Sequence, residues 1–154
     1  METKGGFYIT QIKQLKERIF ERLLLASGLE LSGGQGRILF VLWKKDCLTV
    51  GEISKETSLA KNTVSAVVDG MVRKGIVERT INPNNRRETI ISLTEHSRGM
   101  QQKYEEVSQQ MNELFYRGFS GQEREVFEGY LARIRKTLTE EEAQMRNKKQ
   151  QPSG

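Results

Sequence analysis

Between Thr49 and Leu93 the chain spells, in order, a helix, a short turn, a second helix, a strand, an arginine-bearing connection and a second strand. This order constrains the fold more than any other feature, because so short a turn forces the two helices to pack across one another. Thr49 and Glu52 form a capping box that starts the first helix. Val50, Ile53 and Thr57 share one of its faces. Ser58-Leu59-Ala60 is the turn. The second helix is expected over Lys61–Lys74, where Val64, Val67, Val68, Met71 and Val72 make an apolar stripe that faces a core. Gly75 ends it, as a C-terminal glycine does. Strands are expected over Ile76–Ile81 and Thr89–Leu93, the second with a period of two. Asn82-Pro83-Asn84-Asn85 is dense in turn formers and, with Arg86 and Arg87, hangs between them.

The polar residues of this stretch carry the chemistry. Lys61, Asn62, Ser65 and Asp69 lie opposite the apolar stripe. Small polar and cationic side chains near a helix N-terminus suit base edges and phosphates. Arg86 and Arg87 sit where strand packing has no use for them. A planar, permanently charged guanidinium on a hairpin tip suits phosphate or a narrow minor groove. Taken singly, each feature reads as plainly as a solvated helix face or a charged turn. Their conjunction favours binding of double-stranded DNA, with Lys61, Asn62, Thr63 and Ser65 on the helix and Asn84, Arg86 and Arg87 on the hairpin as candidate contacts. Asn62 is suited to pair with adenine, Lys61 to reach guanine or a phosphate, and Thr63 and Ser65 to hold the backbone.

Net charge is +5, and it is distributed unevenly. From Leu59 to Arg87 there are 6 cations against 2 anions, whereas residues 100–154 balance 9 against 9. The excess is local to the expected DNA-reading surface, where counterion release rewards it.

The order of residues resembles the MarR family of winged-helix transcription regulators. Leu31-Ser32 with Gln35, Ile38-Leu39 and Leu42 is similar to the start of the family's second helix, and Leu48 to Ile53 to the first helix of its helix-turn-helix. Thr63-Val64-Ser65, Val68-Asp69, Met71-Val72 and Lys74 to Arg79 resemble its recognition helix running into the wing. Asn85-Arg86-Arg87 and Ile91 to Glu95 resemble the wing and the start of a long fifth helix. The resemblance implies a mostly α fold with a small β-hairpin wing, a winged helix-turn-helix flanked by N- and C-terminal dimerisation helices. The expected layout is one domain over residues 1–146. Within it the winged module covers about 31–93, the dimerisation helices about 7–27 and 95–144, and residues 147–154 form a flexible tail.

Three positions depart from the family pattern: Asn85 replaces the usual Asp before the arginines, Ser58 stands where Gly is frequent in the turn, and Ala60 stands where Ser often caps the recognition helix. An alanine cap costs about 1 kcal/mol relative to serine. These departures keep open a second reading, a winged-helix protein-interaction module that has lost DNA binding.

The chain ends point to assembly. Ile12, Leu15, Ile19 and Leu23 share a helical face. Ser120 and Glu123 make a capping box, and Phe127, Leu131, Ile134 and Leu138 follow at heptad-like spacing. A small winged helix has no room for both stripes, so they pack on each other or on a second copy; the family resemblance implies a homodimer. It also implies a regulator, commonly a repressor, that recognises a palindromic operator and releases it when a small amphipathic effector binds. Phe7, Tyr8, Ile12, Trp43 and Tyr104 are the effector candidates by position.

Other chemistries have little support. Leu31-Ser32-Gly33-Gly34-Gln35 spells the signature loop of ATP-binding-cassette ATPases, but the chain has no Gly-x-x-x-x-Gly-Lys-Ser/Thr partner for it. Ser32 and Gln35 read instead as a capping box. One histidine and one cysteine supply no metal cluster and no internal disulfide. Neither an enzyme nor a cofactor is expected. Cys47, with Lys44 and Lys45 nearby, has the neighbours of a redox-active thiol; the plainer expectation is a small hydrophobe at an element's edge. The chain has neither an apolar run of membrane-spanning length nor a signal peptide, so the expected location is cytoplasmic, away from the membrane.

Overall fold

A computed structural model describes residues 2–150. The chain divides into two compact units, residues 1–113 and 114–154. The first contains α1 (Gly5–Ala26), α2 (Gly33–Lys44), β1 (Leu48–Thr49), α3 (Val50–Thr57), α4 (Lys61–Arg73), β2 (Val77–Asn82), β3 (Asn85–Leu93), α5 (Glu95–Arg98) and most of α6 (Gln101–Phe115). The second contains the end of α6 and all of α7 (Gly121–Gln150). Helix α7 therefore continues through residues 147–150, which were expected to be tail; residues 151–154 lie outside the described residues.

The helix starts follow from local chemistry. Ser32 Oγ accepts from the Gln35 N–H at 3.2 Å, and Gln35 Oε1 accepts from the Ser32 N–H at 3.2 Å. Thr49 and Glu52 do the same for α3, and Ser120 and Glu123 for α7. Each box satisfies two amides that the helix itself leaves without partners.

The core of the first unit is made by α2, α3, α4 and the sheet. Ile38, Leu39, Leu42, Ile53, Val64, Val68, Met71 and Ile91 are fully buried. Each contributes roughly 1.5–3 kcal/mol relative to an exposed side chain. Val72, expected on the apolar stripe, is exposed instead. It follows Met71 directly, so it points about 100° further round the helix.

The sheet is antiparallel with three strands in the order β1-β3-β2, rather than a lone hairpin. β1 pairs Leu48 with Ile91 and Thr49 with Ile90. Two residues are too few to show a period of two, which is why only the capping role of Thr49 was legible. The expected long fifth helix is interrupted at Gly99 and Met100. The Ser97 carbonyl there accepts from the Met100 N–H and from the Trp43 indole, both at 3.1 Å. Its place in a continuous helical ladder is thereby taken.

Candidate nucleic-acid interface

The turn between α3 and α4 is held by side chains. Ser54 Oγ donates to the Leu59 carbonyl at 2.6 Å, and Thr57 Oγ1 accepts from the Leu59 N–H at 3.2 Å. Ser58 closes α3 in the left-handed region, at φ 62° and ψ 16°. Glycine adopts this conformation without the side-chain clash that costs other residues about 1 kcal/mol or more. Ala60 has the extended backbone of an N-cap but no side chain to cap with. The first-turn amides of α4 are thus left without a side-chain acceptor, and the helix dipole adds positive potential at the same point.

Lys61, Asn62 and Thr63 are exposed on that first turn. Lys61 leans towards α3: its Cε comes within 3.9 Å of where a Cβ on Gly51 would lie. Ser65 is half-buried, and its carbonyl accepts from Arg79 Nη2 at 3.2 Å. Asp69, on the same polar face, is ion-paired with Arg79.

The wing differs from its expected form. The ladder is regular from Val77↔Leu93 to Ile81↔Thr89, but the next pair is Asn82↔Asn85. Arg86, Arg87 and Glu88 are skipped, so the arginines lie on a bulge of β3 and not at the tip. The tip is Pro83-Asn84. It is pinned by Asn82, whose Oδ1 accepts from the Asn84 N–H at 3.0 Å and whose amide donates to Glu88 at 3.1 Å. Asn85 Oδ1 accepts from the Arg87 N–H at 3.2 Å. The asparagine that replaces the family's aspartate therefore holds the bulge through backbone. Asn84, Arg86 and Arg87 are exposed, as is the apolar Ile81 beside them. Bulges turn side chains out of a ladder, which frees both guanidiniums for an outside partner.

Behind this surface Asp46 ties the α2–β1 loop to the base of the wing. Its Oδ1 accepts from the Leu93 N–H at 2.9 Å and the Cys47 N–H at 2.8 Å, and its Oδ2 from Arg98 at 3.1 Å. Partial burial pushes the carboxyl pKa up, but the hydrogen bonds from Leu93, Arg98 and Cys47, helped by the Arg98 charge, outweigh it and hold it below the usual range. Cys47 is exposed, with φ 61°, so it is not the small packed hydrophobe that was the plainer expectation. The loop turns sharply there and carries its side chain outward.

The effector candidates do not converge. A cleft of about 320 Å³ opens among α1, α2 and α6, lined by Lys13, Glu17, Phe20, Arg37, Tyr104 and Met111 among others. Of the five candidates only Tyr104 lines it. Tyr104 packs edge-on against Phe20 at 5.4 Å and at a tilt against Trp43 at 5.0 Å. Burial raises its phenol pKa to about 12. Trp43 is half-buried, whereas Phe7, Tyr8 and Ile12 are exposed along α1. Phe20, Arg37 and Met111 were missed because the residues that line the cleft come from three elements, and no local spacing links them.

The dimerisation candidates divide by exposure. Ile12, Leu15, Ile134 and Leu138 are exposed, and Ile19, Phe127 and Leu131 are half-buried. Among the described residues no helix is long and apolar enough to cross a membrane.

A second helix that presents a polar N-terminus over a buried stripe, followed by a basic bulged hairpin, defines a winged helix-turn-helix protein. Residues 31–89 match the MarR family. The uncharacterized HTH-type transcriptional regulator YwhA of Bacillus subtilis is 24% identical over 127 residues, covering 82% of this chain and 86% of YwhA. The multiple antibiotic resistance protein MarR of Escherichia coli is 32% identical over 89 residues, covering 58% of this chain and 60% of MarR. A mutant of that MarR solved in complex with operator DNA superposes with a TM-score of 0.77 at 25% identity, covering 84% of this chain and 91% of the other. A probable transcriptional regulator from Pseudomonas aeruginosa has the same fold, with a TM-score of 0.77 at 23% identity over 84% of this chain and 95% of its own. Residues 31–89 are thus similar to MarR-family transcriptional regulators, and the fold around them is similar to that of their solved structures.

Proposed function

We propose that this regulator binds duplex DNA as a homodimer, reads an inverted repeat with the first turn of α4, and grips the flanking backbone with Arg86 and Arg87. The observation that carries the reading is the open α4 N-terminus. Lys61, Asn62 and Thr63 are exposed around amides that no side chain caps, and the same unit carries two arginines bulged out of the wing ladder. The operator-bound structural neighbour supports it. Residues 31–93 form the reading module in this proposal. The exposed apolar stripes of α1 and α7 supply the dimer contact, so residues 1–146 act as one functional domain. Two-fold symmetry then sets the half-sites about 34–36 Å apart, one helical turn or a multiple of it.

The regulator acts as a repressor in this reading, and a small amphipathic effector in the α1–α2–α6 cleft releases it. The cleft combines the apolar surfaces of Phe20, Tyr104 and Met111 with the cation of Arg37, which is held by Glu17 at 2.9 Å.

Selection of bound sequences from a random DNA pool, followed by titration at several salt concentrations, tests the reading. The expected result is a palindrome. Asn62→Ala should cost roughly 1–3 kcal/mol on the selected site and little on random DNA. Arg86→Ala or Arg87→Ala should weaken both alike and lower the salt slope by about one. An absence of binding to any pool, with the fold intact, would favour the protein-interaction alternative.

A further inference from the structure

One side chain of the wing reaches across to the polar face of α4. Arg79 lies on β2 within the regular part of the ladder, opposite Ile91. Its guanidinium spans two successive turns of α4, donating to the Ser65 carbonyl at 3.2 Å and pairing with the Asp69 carboxylate. We propose that Arg79 and Asp69 are positioning residues for DNA reading: they set the angle between α4 and the wing so that both reach one duplex together. This rests on the DNA-binding reading above and extends it to residues that touch no DNA.

Three observations carry the proposal. First, the planar fork of arginine makes both contacts at once, so it resists rotation of the strand about the helix where a lysine point charge would not. Second, the Arg79 and Asp69 side chains are 35% and 51% exposed. Ion pairs this exposed contribute little to stability, so a role in holding the fold alone is a poor account of them. Third, Asp69 is an anion on the face that should meet phosphates. By simple electrostatics it opposes binding, and its partner's cation is already engaged. A carboxylate in that place is accounted for if it holds Arg79 in register.

The two accounts predict opposite signs for one substitution. If Asp69 matters only through its charge, Asp69→Asn removes an anion and tightens binding. If it positions Arg79, Asp69→Asn weakens binding to the selected site by on the order of fivefold to tenfold, the size of coupling within one side-chain network. The salt slope then stays as in the wild type, because no phosphate contact is lost. Arg79→Gln should give the same loss, Arg79→Lys an intermediate one, and the Asp69→Asn/Arg79→Gln double variant no more than either single change.

Backbone ¹⁵N relaxation on the free protein supplies a readout that does not depend on DNA. The amides of residues 77–93 should gain mobility relative to α4 in Asp69→Asn. Tighter binding by Asp69→Asn, a salt slope reduced by about one in Arg79→Gln, or unchanged wing relaxation would each overturn the proposal. A wild-type protein that binds no selected DNA would instead remove the underlying function, while relaxation would still show whether the pair orders the wing.

Discussion

Helices α4 and α7 carry apolar stripes of similar pattern and meet opposite fates. In α4, 13 residues long, Val64, Val68 and Met71 are buried against the core of their own unit. In α7, 30 residues long, no described residue is fully buried; Phe127 and Leu131 are half-covered, and Ile134 and Leu138 are 48% and 63% exposed. A stripe covered from within specifies a fold. A stripe left uncovered is a contact in waiting, since contiguous exposed apolar surface marks an interaction site. If α7 supplies the proposed dimer contact, the two helices divide folding from assembly, and substitutions in them should be read by different measurements.

The largest expected effects fall on the buried side. Leu39→Ala or Met71→Ala should destabilise by about 2–5 kcal/mol in urea unfolding, with a change that does not depend on protein concentration. Ile134→Asp should leave the helical signal of the diluted chain nearly intact and abolish self-association in sedimentation. If Ile134→Asp unfolded the chain as severely as Met71→Ala, the division between folding and assembly would fail.

A smaller effect is expected at Asp46. Removing its hydrogen-bonded carboxylate with Asp46→Ala should cost about 2 kcal/mol at neutral pH. Because the folded pKa is depressed, the contribution is fully present above the ordinary aspartate value of about 3.9. It is lost as pH falls through the lower folded value. Stability curves of wild type and Asp46→Ala should therefore run parallel from pH 5 to 7, where this group does not titrate, and converge in stronger acid. Parallel curves throughout would show that Asp46 does not titrate differently in the folded state.

The smallest effects sharpen the picture of the turn before α4. Ser58→Gly relieves a left-handed backbone and Ala60→Ser adds a cap, so each should stabilise by about 1 kcal/mol in thermal unfolding. Ala60→Ser has a second consequence under the DNA-binding reading: its hydroxyl competes with phosphate for the first-turn amides, so added stability should bring no gain in affinity. A gain in both would show that the open N-terminus is a simple defect.

What was legible in advance was what local spacing encodes. The pairs Ser32–Gln35, Thr49–Glu52 and Ser120–Glu123 marked helix starts because a capping box closes over three residues. The 3.6-residue period of Val64, Val68 and Met71 identified the buried face of α4. The exposure of the candidate residues Lys61, Asn62, Arg86 and Arg87 was legible because their polarity has no use in a core.

Long-range partnerships were decided only by the tertiary structure. Arg79 and Asp69 are ten positions apart on different elements, and nothing in either one's neighbourhood announces the other. The bulge that carries Arg86 and Arg87 depends on the register of β3 against β2, which the pairing of distant residues settles. Trp43 meets Ser97 and Tyr104 across more than fifty positions, and with that contact the expected continuous helix gives way to α5 and α6. Caps and periodicity act through bonds that close within a turn, so sequence alone determines them. Ion pairs, strand register and the lining of a cleft depend on which elements the packed core brings together, and only the folded chain can specify that.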